Sequence, residues 1–252
     1  MELKRNYNEL IKEILSRNNI DKNTVLGVLI YGSTITGYDD DFSDIDILLV
    51  TADDSKQEAR GVLISLDKRV EYFIISETNV YKELFRELDT VSPALIMAFV
   101  TGIIYYEKNS IMQQLKKRAQ DILKMPYVKL SLNEIKIKTN ILRNHLKELK
   151  RKYLKKSPDY SFCYFNYVNE LITFYARYKG ITIKDCKLYE LLTDETYRER
   201  FYIKNHFSIY EEKIIIKMIT KVISIEEVIK HSDYIFEKLG CGSEEFIIKL
   251  TT

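Results

Sequence analysis

Apolar residues near the start of the chain recur at helical spacing. Leu3, Tyr7, Leu10, Ile11, Ile14 and Leu15 fall on one face, which predicts a helix to about Ser16. The rhythm then changes. Val25 to Tyr31 is a short apolar run ending at Gly32, as a buried strand would. Thr34 to Ser43 is polar, with Gly37 and three consecutive aspartates, and Ile45 to Val50 is a second apolar run. Gly61 to Leu66 and Val70 to Ile75 are two more, separated by Asp67-Lys68-Arg69, which reads as a hairpin turn. Helices are expected over Glu77 to Leu88 and Ser92 to Val100, and a strand over Ile103 to Tyr106. Beyond Asn109 the pattern is helical, with segments near 109–124, 131–155, 159–179, 185–193, 208–221 and 224–239. A strand-like run returns at Phe246-Ile247-Ile248.

The expected architecture is therefore an α/β N-terminal domain, residues 1–125, with a mixed sheet and flanking helices. An all-α helical bundle, residues 126–252, follows it. Pro126 would stop the preceding helix and mark the boundary. Scarce Gly (8) and Pro (3) agree with long helices. A net charge of +2 demands neither nucleic acid nor a membrane as partner. Cys163, Cys186 and Cys241 have no zinc-site spacing and suggest no disulfide framework, which fits a reducing, cytoplasmic setting. No apolar stretch approaches the roughly 20 residues of a membrane span, and no signal peptide is expected at Met1-Glu2-Leu3-Lys4-Arg5.

The chemistry gathers early in the chain. Leu29-Ile30-Tyr31 delivers Gly32-Ser33 at a strand end, where glycine lets backbone pass close to a ligand. A helix starting at Ser33 would turn free N–H groups and a hydroxyl toward phosphate. Asp44 and Asp46 stand two apart, so alternation puts both on one face of the second strand, with Ile45 and Ile47 on the other. Paired carboxylates repel unless cations lie between them, and hard oxygen ligands point to Mg²⁺. Glu71 is a lone acid in an apolar run, costly to bury without a partner. A metal or an acceptor hydroxyl would supply one.

Gly32-Ser33, a ten-residue spacer and Asp44-x-Asp46 resemble the signature of the nucleotidyltransferase superfamily that includes DNA polymerase β. The fuller string, Tyr31-Gly32-Ser33-Thr34 with Gly37 and Ser43-Asp44-Ile45-Asp46, looks most like the aminoglycoside and lincosamide nucleotidyltransferases. Val70-Glu71-Tyr72-Phe73 is similar to their strand carrying the third acid, and the helical second half resembles the kanamycin nucleotidyltransferase architecture. The specific match covers about residues 27–50 and 69–76.

The resemblance implies a reaction: attack of an acceptor hydroxyl on the α-phosphorus of an NTP, ATP by default, with pyrophosphate released. Two Mg²⁺ ions would be held by Asp44 and Asp46, with Glu71 as third ligand or general base. Gly32 and Ser33 would grip the β- and γ-phosphates. The acceptor would be a small hydroxylated molecule, an antibiotic among the candidates. A macromolecular acceptor (protein or tRNA) and a non-catalytic nucleotide-binding regulator are the alternatives. Oligomeric state is left open, a homodimer being one arrangement among relatives.

Other features admit several readings. Asp39, Asp40 and Asp41 are a solvated loop or an attractor for a cationic acceptor. The basic stretch Lys136 to Lys156 is a solvated face, a source of Arg143 or Lys147 for the triphosphate, or an RNA-binding surface. Tyr164, Tyr167, Leu171, Phe174 and Tyr178 read as a core stripe. The opposite face carries Glu170, solvated or in contact with the acceptor. His145, His206 and His231 show no ligand spacing; Arg200 with His206 loosely resembles a helical RNase motif, and a surface histidine is the plainer reading.

Overall fold

The computed structural model describes residues 3–52, 58–65, 68–90, 92–125, 129–183, 187–203 and 206–242. The chain divides into two compact units, Met1–Asp89 with Pro93–Pro126, and Thr90–Ser92 with Tyr127–Thr252. The first holds a mixed five-stranded sheet with helices. The second is all-helical among the described residues.

The elements of the first unit are α1 (Leu3–Arg17), β1 (Val25–Tyr31), α2 (Ser33–Thr36), β2 (Ile45–Thr51), β3 (Ala59–Ser65), β4 (Lys68–Ser76), α3 (Glu77–Arg86), α4 (Ala94–Thr101), β5 (Ile103–Glu107) and α5 (Ile111–Leu123). Strand order is β3-β4-β2-β1-β5. β2 and β4 run parallel, and every other neighbouring pair is antiparallel. The two runs that looked continuously apolar, β1 and β2, lie inside this sheet and are covered on both faces. Leu29, Leu48, Val50 and Ile75 pack with Phe99, Met112 and Leu115 of the α3–α5 side. Val28, Ile30, Ile47, Leu49, Val70 and Ile74 pack with Tyr7, Leu10 and Ile14 of α1. Each such side chain, once fully buried, contributes roughly 1.5–3 kcal/mol.

Lys68 and Arg69, expected in a turn, belong to β4. Asp67 lies outside the described residues, as do Pro126, Cys186 and the run at 246–248. Asp44 precedes β2 by one residue instead of lying within it.

The second unit contains α6 (Leu132–Leu154), α7 (Tyr160–Lys179), α8 (Leu188–Thr193), α9 (Glu195–Arg200), α10 (Ile209–Thr220) and α11 (Ile225–Lys238). Ser131 with Glu134, and Ser208 with Glu211, form reciprocal capping boxes at the starts of α6 and α10. α9 was not expected from the sequence. The aromatic stripe of α7 is corrected at its C-terminal end: Tyr164, Tyr167, Leu171 and Tyr175 are buried, whereas Tyr178 is exposed and Phe174 half-buried. Ideal helical spacing carries the face one position on by that turn.

Candidate active site

Strand register builds the site. Tyr31 of β1 is opposite Asp46 of β2, Asp46 is opposite Glu71 of β4, and Glu71 is opposite Val62 of β3. Directly opposed residues project to the same face. One row across four strands therefore carries a phenol, two carboxylates and a valine. The next row inward, Leu29, Leu48, Phe73 and Arg60, is largely apolar and leads into the core. The polar row stands where β1 ends and where β2 and β4 begin, so the parallel pairing of β2 with β4 aligns the two acids.

Gly32 follows β1 directly. Its φ is +83°, a left-handed conformation that favours glycine. A Cβ at this position would lie 1.9 Å from Asp46 Oδ2. The absent side chain is what lets the carboxylate lie against the backbone. Ser33 opens the short turn α2, and Thr36 Oγ1 donates to Gly32 O at 3.1 Å, closing it. In the loop that follows, Asp40 Oδ1 accepts from Phe42 N at 3.0 Å and from Ser43 Oγ at 2.8 Å. Asp39, Asp40 and Asp41 are exposed, and Asp40 serves to shape the approach to Asp44.

The lone acid of the β4 run, Glu71, is only partly buried. Its side chain is 44% exposed, and its partner is Arg69, whose Nη2 lies 2.7 Å from Oε1. Arg69 Nη1 also donates to Asp44 Oδ2 at 3.3 Å. Sequence reasoning missed Arg69 altogether. Its spacing of two from Glu71 within an extended run was the available signal.

A cleft of about 350 Å³ opens beside Glu71, lined by Tyr31, Arg60, Phe73, Glu83, Arg86 and Leu95 among others. The Arg60 guanidinium lies over the Phe73 ring, 4.1 Å from its centroid. Burial raises the Tyr31 phenol well above its ordinary pKa, Asp46 and Glu71 reinforce the shift, and Arg60 opposes it. The group stays protonated at neutral pH. Glu87 accepts from the backbone N–H groups of Leu95 and Ile96 at 2.9 and 2.8 Å and so caps α4. Its carboxyl is nonetheless pushed upward by burial.

The donor set suits a hard cation. Asp44, Asp46 and Glu71 offer carboxylate oxygen alone, and one guanidinium already spans two of them. Among the described residues no three His, Cys, Asp or Glu side chains are drawn together tightly enough to hold a metal. Asp44 and Glu71 close on Arg69 instead of on a common point.

The predicted residues of the helical unit are placed differently. Arg143 is buried, its Nη2 donating to the carbonyls of Cys241 and Gly242 and its guanidinium 4.7 Å from the Phe236 ring centroid. The expectation that it reaches a triphosphate is corrected, because that guanidinium is committed to its own unit. Lys147, one turn on, is exposed. Glu170 accepts from Lys138 Nζ at 2.6 Å and pairs with His145 Nδ1 at 2.7 Å, joining α6 to α7. Partial burial pushes the Glu170 carboxyl up, but these two partners outweigh it and hold it below the usual range. Among the described residues no helix is long and apolar enough to cross a membrane.

No protein-family model matches the chain, and no curated protein matches it. Among solved structures, the crystal structure of a nucleotidyltransferase-like protein from Exiguobacterium sibiricum 255-15 is similar. The TM-score is 0.46 at 12% identity, covering 94% of this chain and 74% of that one.

Proposed function

We propose that the chain transfers a nucleoside monophosphate from a magnesium-bound NTP, ATP by default, to a hydroxyl of a small molecule. The supporting observation is the row Tyr31, Asp46, Glu71, with Asp44 beside it and a side-chain-free Gly32 against Asp46. It accords with the resemblance of Gly32-Ser33 and Asp44-x-Asp46 to the nucleotidyltransferase signature. In this reading residues 1–125 carry the chemistry and residues 126–252 help bind the acceptor.

Asp44 and Asp46 would hold the Mg²⁺ that the reaction needs, with Glu71 as further ligand. When bound, magnesium neutralises triphosphate charge and lowers the pKa of the acceptor hydroxyl. Ser33 offers its hydroxyl and the first N–H groups of α2 to the distal phosphates. Glu71, half-exposed and on the cleft wall, takes the acceptor proton. Tyr31, held protonated, is a hydrogen-bond donor beside both acids. Most of the acceleration comes from placing the acceptor oxygen in line with the α-phosphorus and neutralising charge there.

The test is pyrophosphate release with Mg²⁺ and each NTP in turn, against aminoglycosides, lincosamides, tRNA and protein. Asp46→Asn is the blank. Release that requires Mg²⁺ and a small-molecule acceptor, and vanishes in the blank, supports the reading, whereas release with tRNA or protein alone moves the acceptor to a macromolecule. Equal release by Asp46→Asn, or no binding of Mg-ATP by calorimetry, overturns it.

A further inference from the structure

The acids of the site already have a cation, and it belongs to the chain. Arg69 precedes Glu71 by two residues on β4, so both side chains leave the same face. One Arg69 nitrogen lies 3.3 Å from Asp44 Oδ2 and the other 2.7 Å from Glu71 Oε1. A flat fork of donors can join two carboxylates in this way; a lysine ammonium, a point charge, spans them less well. The Arg69 side chain is 48% exposed, so the contacts are screened and exchangeable.

We propose that Arg69 is a built-in counter-cation that competes with divalent metal for Asp44 and Glu71, coupling metal entry to nucleotide entry. The inference rests on the nucleotidyl-transfer reading. With no metal bound, the guanidinium relieves repulsion between Asp44 and Glu71. A bare divalent ion must break both Arg69 contacts and then sit beside the positive charge it displaced. A triphosphate arriving with the metal changes that balance, because the released guanidinium gains an anionic partner next to the place it left. Metal and nucleotide therefore strengthen each other's binding, reciprocally. The apparent affinity for metal alone is lowered by the fraction of molecules in which Arg69 still holds the acids.

The experiment measures Mn²⁺ binding to the full chain by electron paramagnetic resonance, with and without a non-hydrolysable ATP analogue. The native chain is compared with Arg69→Gln and Arg69→Lys. Arg69→Gln is expected to bind Mn²⁺ alone about 5- to 10-fold more tightly, the scale of two partly screened ion pairs. The analogue should tighten Mn²⁺ binding strongly in the native chain and much less in Arg69→Gln. Arg69→Lys, which keeps the charge and loses the fork, should fall between them and also serves if Arg69→Gln folds poorly. Unchanged or weaker Mn²⁺ binding in both variants overturns the inference. Asp46→Asn separates the two levels. If it binds Mn²⁺ with the analogue as the native chain does, the transferase reading itself fails. If it loses that binding while the Arg69 variants gain nothing, only the role of Arg69 falls.

Discussion

The two units use charge in opposite ways. In the first, Asp44, Glu71 and Arg69 meet at the end of a sheet with between 28% and 48% of each side chain exposed. In the second, Glu211 and Arg143 are drawn inward. Glu211 is 3% exposed, completes the capping box of α10 and accepts from Tyr175 Oη and from Lys179 Nζ. Arg143 is similarly enclosed. A buried charge held by groups of its own unit is a structural part, because freeing it for a ligand leaves a partner unpaired. A charge held in a screened, partly exposed pair stays available. Exposure and partner, more than residue type, separate Asp44 and Glu71 from Glu211 and Arg143.

Substitutions can break that comparison. The largest effect is expected at Asp46: Asp46→Asn should lower pyrophosphate release by about 10³-fold or more with little change in melting temperature. A drop of many degrees would make Asp46 framework. Gly32→Ala should come close in activity, since the new Cβ collides with the Asp46 carboxylate at a positive φ. It should also destabilise by about 1–2 kcal/mol, read by urea denaturation. In the helical unit the ranking inverts. Glu211→Ala should cost about 3 kcal/mol by stranding Tyr175 and Lys179, yet leave Mn²⁺ affinity unchanged.

Acid gives a further separation. Burial pushes the Glu211 carboxyl up, but Tyr175, Ser208 and Lys179 together bring it below the ordinary value of 4.5, and Glu170 is lowered likewise. The stability they contribute is complete above the unfolded value and is lost as pH falls through the lower folded value. Urea midpoints should therefore decline as pH falls below about 4.5, and Glu211→Gln should flatten the decline. The smallest effect is expected for Lys138→Met, at most about 1 kcal/mol, since its pair with Glu170 is partly solvated.

What could be read from the sequence follows the same physics. β1 and β2 were legible because strands covered on both faces are apolar throughout, and Gly32, Asp44 and Asp46 stood out against them. Glu71 stood out as a lone acid in an apolar run, but its exposure was not legible, because one letter does not reveal that β3 and β4 leave that row partly open. Arg69 was missed because Asp67-Lys68-Arg69 has the composition of a turn, and its value depends on lying opposite the residue before β2. α9 is six residues, four of them charged, too short for periodicity to register. Arg143 looked like a ligand-facing cation because the basic residues crowd around it; that its guanidinium meets Cys241 and Gly242, almost a hundred positions later, is a tertiary fact.

The pairing of β2 with β4 has one more consequence. Parallel strands brought together through an intervening edge strand fix no register by a tight turn, so the apolar side chains must set it. A slide of one residue would turn Glu71 toward α1 and bring Val70 or Tyr72 abreast of Asp46. Under the proposed function, activity then doubles as an alignment gauge: a variant that retains its acidic row has, by that fact alone, threaded its central strands correctly.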